Sequence, residues 1–337
     1  MVDLGTDYLG MRLKNPLVAS AGPISQSLDG IKSLADAGVG AVVMYSLFEE
    51  QLRRKAEEQT LLAAQRKQSF AEASSFLPDL TGDAGDEIGG YLRLVEQAAN
   101  TIEVPLIASL NGANPGSWVK LAREVADAGA DGLELNIYFV PGNVELTGAQ
   151  VEQRHLEIAA AVKAEVEIPV AVKLSPFLSS IGNMCVQFDE LGVDGLVLFN
   201  RFLQPDIDID RMAVRTGVTL SRADDARLPR TWIALLRDKV KASLAATSGV
   251  ADTEDVIKYL LAGADVVMTT SALVRNGASY ATRMLDGLES WLSSKGLALG
   301  RVRGLLAAPA ESEGSDYERG GYVSALLQAK RTYGSLQ

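Results

Sequence analysis

Four junctions in this sequence rhyme, and they restrict the fold more than any other feature. Ala-Asp-Ala-Gly-Val-Gly-Ala occupies 35–41, Ala-Asp-Ala-Gly-Ala-Asp-Gly 126–132, Leu-Gly-Val-Asp-Gly 191–195 and Leu-Ala-Gly-Ala-Asp-Val 261–266. In each, a glycine suited to the left-handed conformation ends a helical stretch, and the chain turns directly into an apolar run. Glu-Val-Pro at 103–105 and Glu-Ile-Pro at 167–169 alternate with these glycine junctions. The runs that follow or flank them read as strands: Leu17–Ser20, Ala41–Tyr45, Pro105–Leu110, Gly132–Asn136, Pro169–Leu174, Gly195–Phe199, Ser243–Thr247 and Asp265–Thr269. They are nearly continuous in apolar residues, as parallel strands covered on both faces require. Each is followed by an Ala/Glu/Leu-rich stretch with helical spacing. Such a rhythm predicts an α/β chain closed into one (β/α)8 barrel of the TIM type.

Residues 1–337 are expected to form one domain, with the barrel over about 15–297. At 47% hydrophobic and 22% charged residues, the chain can fill a barrel-sized core and lacks the composition of a disordered segment. Three stretches fall outside the repeat. Leu4–Lys14 reads as an N-terminal β-hairpin that plugs the bottom of the barrel. Long loops follow the second strand (Glu49 to about Asp86) and the sixth (Arg201–Arg230). Both lie on the side where barrel enzymes build their sites. Gly300–Gln337 reads as a C-terminal helical extension.

The formal net charge of -11 disfavours nucleic acid or an anionic membrane as a partner, because both are gripped by clustered Lys and Arg. A small anion in one locally positive pocket remains compatible. Cys185 is the single cysteine, so no intrachain disulfide, thiolate cluster or metal site is expected. The opening MVDLGTDYLG carries Asp3 and Asp7 and no apolar run, unlike a signal peptide. Apolar stretches such as 39–47 are shorter than the roughly 20 residues a bilayer demands. A cytoplasmic location is the expectation.

Candidate chemistry collects at the strand ends. The seventh strand runs into Thr247-Ser248-Gly249-Val250, and Ala251-Asp252 then opens a helix; the eighth runs into Thr269-Thr270-Ser271-Ala272. Small residues leave backbone N–H groups open to a ligand, and in barrels these two loops are the usual phosphate site. The alternative is a pair of N-caps that only start helices. Lys173 stands inside the apolar run 171–174, where an ammonium is costly to bury without an anionic partner. It either faces the barrel mouth and an electron-rich ligand or snorkels outward between helices. Asn136 and Asn200 end the fourth and sixth strands, whose polar ends converge on the mouth. Ala19, Ser20, Ala21 and Gly22 end the first strand and let a flat ring approach the backbone.

Other residues read as structural. His155, the only histidine, is expected at the surface of a helix; Trp118, Trp232 and Trp291 are expected to pack. The charge run Glu49–Lys55 reads as a solvated loop-to-helix segment.

The order of these motifs resembles the dihydroorotate dehydrogenases, FMN-containing barrels of pyrimidine synthesis. The likeness covers most of the chain: Asn15-Pro-Leu-Val-Ala-Ser-Ala-Gly-Pro23, Leu133-Glu-Leu-Asn136, Val170-Ala-Val-Lys173-Leu-Ser-Pro176, Asn200 and the two phosphate loops. The resemblance implies FMN as cofactor, with Ala19 to Gly22 against the flavin and Lys173 at its N1/O2 edge, where charge accumulates on reduction. It also implies Ser248, Gly249, Thr270 and Ser271 on the phosphate, with Tyr45, Ser46, Asn111 and Phe199 completing the cofactor contacts. Asn136 and Asn200 would hydrogen-bond the flavin or a small anionic substrate, and Arg201 would meet that substrate. A homodimer is implied as well. The electron acceptor stays open among fumarate, NAD through a partner subunit, and quinone.

Two departures from the family pattern stand out. The family places a Cys or Ser base on the loop after the fourth strand, whereas residues 137–142 here read Ile-Tyr-Phe-Val-Pro-Gly. Tyr138 is the candidate left on that loop, a phenol and so a poor base at neutral pH; Thr147 lies farther along and is no better suited. The family lysine at the end of the second strand aligns with Tyr45. Three readings follow: a dihydroorotate-type oxidoreductase, a flavin-binding relative with another substrate, or a non-flavin aldolase or lyase forming a Schiff base on Lys173.

Overall fold

Short runs rich in Val, Ile, Leu and Ala pair side by side, while the amphipathic stretches between them cover the outside. The computed structural model describes residues 2–48, 87–112, 115–139, 142–201, 205–309 and 314–334. Eight parallel strands close a barrel in the order β11-β12-β3-β4-β5-β6-β7-β8. They are β3 (Leu17–Ala19), β4 (Ala41–Phe48), β5 (Leu106–Asn111), β6 (Gly132–Asn136), β7 (Val170–Leu174), β8 (Gly195–Leu198), β11 (Ser243–Ala246) and β12 (Val266–Thr269). Every strand inferred from the sequence is present, with ends moved by a few residues.

The alternation of side chains splits the core in two. Residues such as Leu17, Ala19, Val42, Met44, Leu133, Leu135, Val170 and Val172 face outward into the large cluster shared with the helices. Val18, Ala41, Val43, Ile107, Ala171, Val197, Ala245, Val266 and Met268 fill the barrel interior. The expected N-terminal hairpin is β1 (Thr6–Tyr8) paired with β2 (Met11–Leu13). Its Tyr8, Leu9 and Leu13 complete the interior cluster. The plug needs room: a Cβ on Gly195 would stand 2.6 Å from Leu9 Cδ2.

The insertion after β8 forms a second hairpin, β9 (Asp206–Asp208) with β10 (Ala213–Arg215), and then a 3-10 turn at Ala223–Ala226. The C-terminal extension is helical at Leu299–Val302 and Gly314–Tyr333. The long segment after β4 and its charge run lie outside the described residues. Among the described residues no helix is long and apolar enough to cross a membrane.

One expectation is overturned. His155 lies in the helix Gly148–Lys163 but is only 1% exposed. Its Nδ1 donates to the Val151 carbonyl at 2.7 Å, and burial pushes its pKa down, so the ring is a neutral packing element. The side chain points inward because 151, 155, 158, 159 and 162 share the buried stripe of that helix. Trp118 is fully buried, and Trp232 and Trp291 pack against the outer core.

Candidate active site

β-Sheet register puts Asn111 beside Asn136 and Asn136 beside Lys173, so three polar side chains form one layer at the C-terminal end of β5, β6 and β7. All three are buried. Lys173 follows interior Ala171 by two residues and therefore points inward, not toward the helices. Asn200 donates from Nδ2 to Asn136 Oδ1 at 2.7 Å, and Arg201 N–H donates back to Asn200 Oδ1 at 3.0 Å.

A cavity of about 270 Å³ opens above this layer. Ser20, Ala21, Gly22, Lys173, Phe199, Asn200, Arg201, Ser248, Gly249, Thr270 and Ser271 all line it, as the sequence predicts for one site. Val218, Thr219, Leu220 and Ser221 from the insertion form a further wall.

The loop after β11 is held in an unusual shape. Ser248 has φ +74° and Gly249 φ +70°. The left-handed region costs a serine on the order of 1 kcal/mol or more, and surrounding contacts must impose it. Here they do: Ser248 Oγ donates to the Phe199 carbonyl at 3.1 Å, and Tyr259 Oη donates to the Ser248 carbonyl at 2.7 Å. A Cβ on Gly249 would stand 2.8 Å from the Ala226 Cβ, so only glycine fits there. The amides of Gly249 and Thr270 find no acceptor among the described residues. The short helix from Ser271 has no side-chain cap on its first turn. Ser271 Oγ accepts from Ser221 N–H at 3.1 Å, and Arg275 donates to the Ser221 carbonyl at 2.8 Å, which ties the insertion to this loop. Arg201 is joined to the Thr219 carbonyl and lies 3.9 Å from Asp225, so the same insertion holds its guanidinium.

Several sequence-predicted contacts fall elsewhere. Ala19 packs in the outer core, and only the residues after it face the cavity. Tyr45 does not line the cavity. The register of β4 on β5 shifts between Val43 and Ser46, which turns Ser46 inward to Ser109 Oγ at 2.8 Å. Tyr45 instead stands edge-on to Tyr91 of the helix Glu87–Ala99, with ring centroids 5.1 Å apart. Burial, with a smaller contribution from the charge of Glu87, pushes its phenol pKa up. The family lysine position is therefore occupied by a packing residue, not a substituted ligand. Ser46, Asn111 and Asn136 sit below or beside the cavity without lining it. Tyr138 is half-buried just after β6 and also stands outside the lining; its N–H donates to the Asn136 carbonyl at 3.0 Å. Val140 and Pro141 of the base loop lie outside the described residues. Thr147 caps the next helix through Gln150. Cys185 is fully buried in the helix Ile181–Glu190, far from a base's task.

The sequence reading missed Glu134. This carboxylate is 1% exposed on β6, and its Oε1 accepts from Lys173 Nζ at 3.3 Å. The signal that flagged Lys173, a charge inside an apolar strand, applies equally to Leu133-Glu134-Leu135. The missing half of the Lys173 argument is this internal anion: the chain itself supplies a partner for the ammonium. Among the described residues no group of three or more His, Cys, Asp or Glu is placed to hold a metal.

A buried cation, amide-lined loops and small residues thus meet at one mouth of a (β/α)8 barrel, the end at which such barrels build their sites. A family model described as dihydroorotate dehydrogenase matches residues 3–292. The chain belongs to the dihydroorotate dehydrogenase family, a family of flavin-dependent oxidoreductases acting on CH–CH groups. It is 27% identical over 308 residues to the dihydroorotate dehydrogenase B (NAD(+)) catalytic subunit of Methanothermobacter thermautotrophicus, covering 88% of this chain and 95% of that protein. Its similarity to the corresponding subunit of Methanocaldococcus jannaschii is 25% over 310 residues, covering 90% and 97%. A putative dihydroorotate dehydrogenase A (fumarate) of Aeropyrum pernix is 26% identical over 216 residues, covering 61% of this chain and 70% of that protein.

Proposed function

We propose that this chain binds FMN across the barrel mouth and oxidises dihydroorotate, or a closely related small anion, to the unsaturated product. The observation that carries the reading is that Lys173 and the two amide-lined loops at Ser248-Gly249 and Thr270-Ser271 line one cavity. The residues fit the cofactor. Open N–H groups at Gly249 and Thr270 suit a phosphate, and the small side chains of Ser20, Ala21 and Gly22 leave a flat face for a ring.

When bound, FMN would supply a two-electron acceptor for the hydride lost by the substrate. The residues of the chain bind and orient around it. Lys173 offers a fixed cation to the pyrimidine edge. Asn200 presents an amide to the substrate and is held by its bond to Asn136 beside the cavity, and Arg201 offers a guanidinium to the substrate's carboxylate. The insertion residues Val218 to Ser221 cover the site and reduce water access. Tyr138 is the proton carrier we assign to the loop after β6, because it carries the one phenol among residues 137–142.

The names of the relatives support an electron-accepting partner subunit that uses NAD(+), and a homodimer of this chain is our reading of the catalytic part. The ion pair with Glu134 weighs against the Schiff-base alternative, because an amine engaged as an ammonium is not a nucleophile. The test is an ultraviolet–visible spectrum of the purified protein, then anaerobic titration with dihydroorotate. A flavin spectrum that bleaches on titration is expected. A colourless protein that takes up no added FMN refutes the reading, and FMN held without bleaching moves the substrate elsewhere.

A further inference from the structure

The barrel interior beneath the cavity is largely apolar and holds one connected set of polar groups. Val18, Ala41, Val43, Ile107, Ala171, Val197, Ala245, Val266 and Met268 line it. Among them Glu134 Oε1 meets Lys173 Nζ at 3.3 Å and Ser109 Oγ at 3.5 Å, and Ser109 Oγ meets Ser46 Oγ at 2.8 Å. Lys173 is the one ion-pair partner of Glu134 among the described residues. The second carboxylate oxygen, Oε2, is buried and has no partner among the described residues. Tyr8 Oη from the N-terminal plug is likewise buried and unpartnered.

A carboxylate this deep costs several kcal/mol of desolvation, by order of magnitude, and a neutral residue would fill the space without that penalty. Its presence changes what the barrel mouth offers a ligand. An isolated ammonium at Lys173 would present a full positive charge, whereas an ammonium with a carboxylate 3.3 Å below presents a dipole whose field falls off faster. Tyr45 adds no charge, because it packs outward on Tyr91, and the Arg201 guanidinium, assigned above to the substrate, lies at the exposed side of the cavity with Asp225 3.9 Å away. The buried part of the cationic support at the mouth is therefore set by the Lys173–Glu134 pair.

Resting on the FMN reading above, we propose that Glu134 is a positioning residue that fixes Lys173 below the cofactor and poises its reduction potential by partly cancelling the ammonium's charge. Reduction places negative charge at the cofactor's pyrimidine edge, so uncompensated positive charge favours the reduced form and compensation restrains it. The pair thus keeps the bound cofactor from becoming too strong an electron trap for onward transfer.

The experiment compares FMN-loaded wild-type, Glu134→Gln, Lys173→Met and Glu134→Gln/Lys173→Met proteins. It measures the two-electron midpoint potential anaerobically and FMN affinity by fluorescence. Glu134→Gln is isosteric and removes only the charge. It is expected to shift the ratio of reduced to oxidised cofactor at fixed potential about tenfold toward reduced, roughly 30 mV for a two-electron couple. In the Lys173→Met background no ammonium is left for Glu134 to position or offset, so the same substitution is expected to shift the ratio by less than about threefold. A Glu134→Gln holoenzyme with an unchanged potential overturns the inference and leaves the FMN reading standing. An equal shift in the Lys173→Met background overturns the route through Lys173. A wild-type protein that takes up no FMN overturns the proposed function itself, and this inference with it.

Discussion

Asn200 Nδ2 donates to Asn136 Oδ1 at 2.7 Å, tying the end of β8 to the end of β6 across Lys173 of β7. The two strand ends that flank the buried ammonium are thus clamped by their own amides. Pre-orientation of this kind lowers the entropy cost of positioning a substrate.

Asn200→Ala removes the clamp and one amide from the cavity. We expect kcat/KM for dihydroorotate to fall ten- to a hundredfold, about 1.4–2.7 kcal/mol of transition-state stabilisation at roughly 1.4 kcal/mol per decade. FMN affinity changes by less than about threefold, because the phosphate loops are untouched. Steady-state kinetics with an FMN titration checks both; an unchanged kcat/KM removes Asn200 from the substrate site.

Gly249→Ala strikes the loop that we propose holds the FMN phosphate. Its φ of +70° penalises a side chain, and the new Cβ would lie 2.8 Å from Ala226 Cβ. The 3-10 turn at Ala223–Ala226 must shift, opening the loop. FMN affinity is expected to drop at least tenfold, while affinity for riboflavin, which lacks the phosphate, changes little. Equal losses for the two ligands would move the phosphate away from Gly249.

Gly195→Ala separates stability from binding. The added methyl collides with Leu9 at 2.6 Å and contacts Ala171 at 3.4 Å, pushing on the N-terminal plug. Overpacking of this kind costs roughly 1–3 kcal/mol. Urea denaturation of the cofactor-free protein should show that loss. FMN affinity should stay unchanged, because the collision lies at the opposite end of the barrel from the cavity.

Cys185 supplies a pH prediction. Burial pushes its thiol from the ordinary value of 9.0 up to about 12. The folded state therefore holds this proton more tightly than the unfolded chain. The resulting stabilisation is fully present below about pH 9 and is lost as pH rises toward 12, by up to roughly 1.4 kcal/mol per pH unit. Burial raises the phenols of Tyr8, Tyr91 and Tyr259 too, and they act with the same sign above their ordinary value of 10.0. Denaturation midpoints from pH 7 to 11 should fall, and less steeply in Cys185→Ala. Iodoacetamide at pH 7 should label Cys185 only after unfolding and leave activity intact; labelling of the native protein would place the thiol at the surface.

The sequence by itself determined the eight strands, their parallel arrangement and the gathering of Lys173, Asn200 and the two small-residue loops at one end. Those properties reside in local signals: apolar runs with glycine or proline junctions, and polar residues at their C-terminal ends, which parallel closure must bring together. Tertiary structure decided what local pattern leaves open. Tyr45 turns away from the mouth because a register shift on β5 breaks the alternation that the sequence implies. His155 is buried because its helix face meets the core, which a single polar residue does not announce. Glu134 belongs to Lys173 because β6 and β7 lie side by side in a register that sets Asn136 against Lys173 and Glu134 one layer below. Pairing of charges across strands depends on which strands are neighbours and in what register. A linear pattern carries the cost of burying each charge, but only the closed barrel shows which opposite charge offsets it.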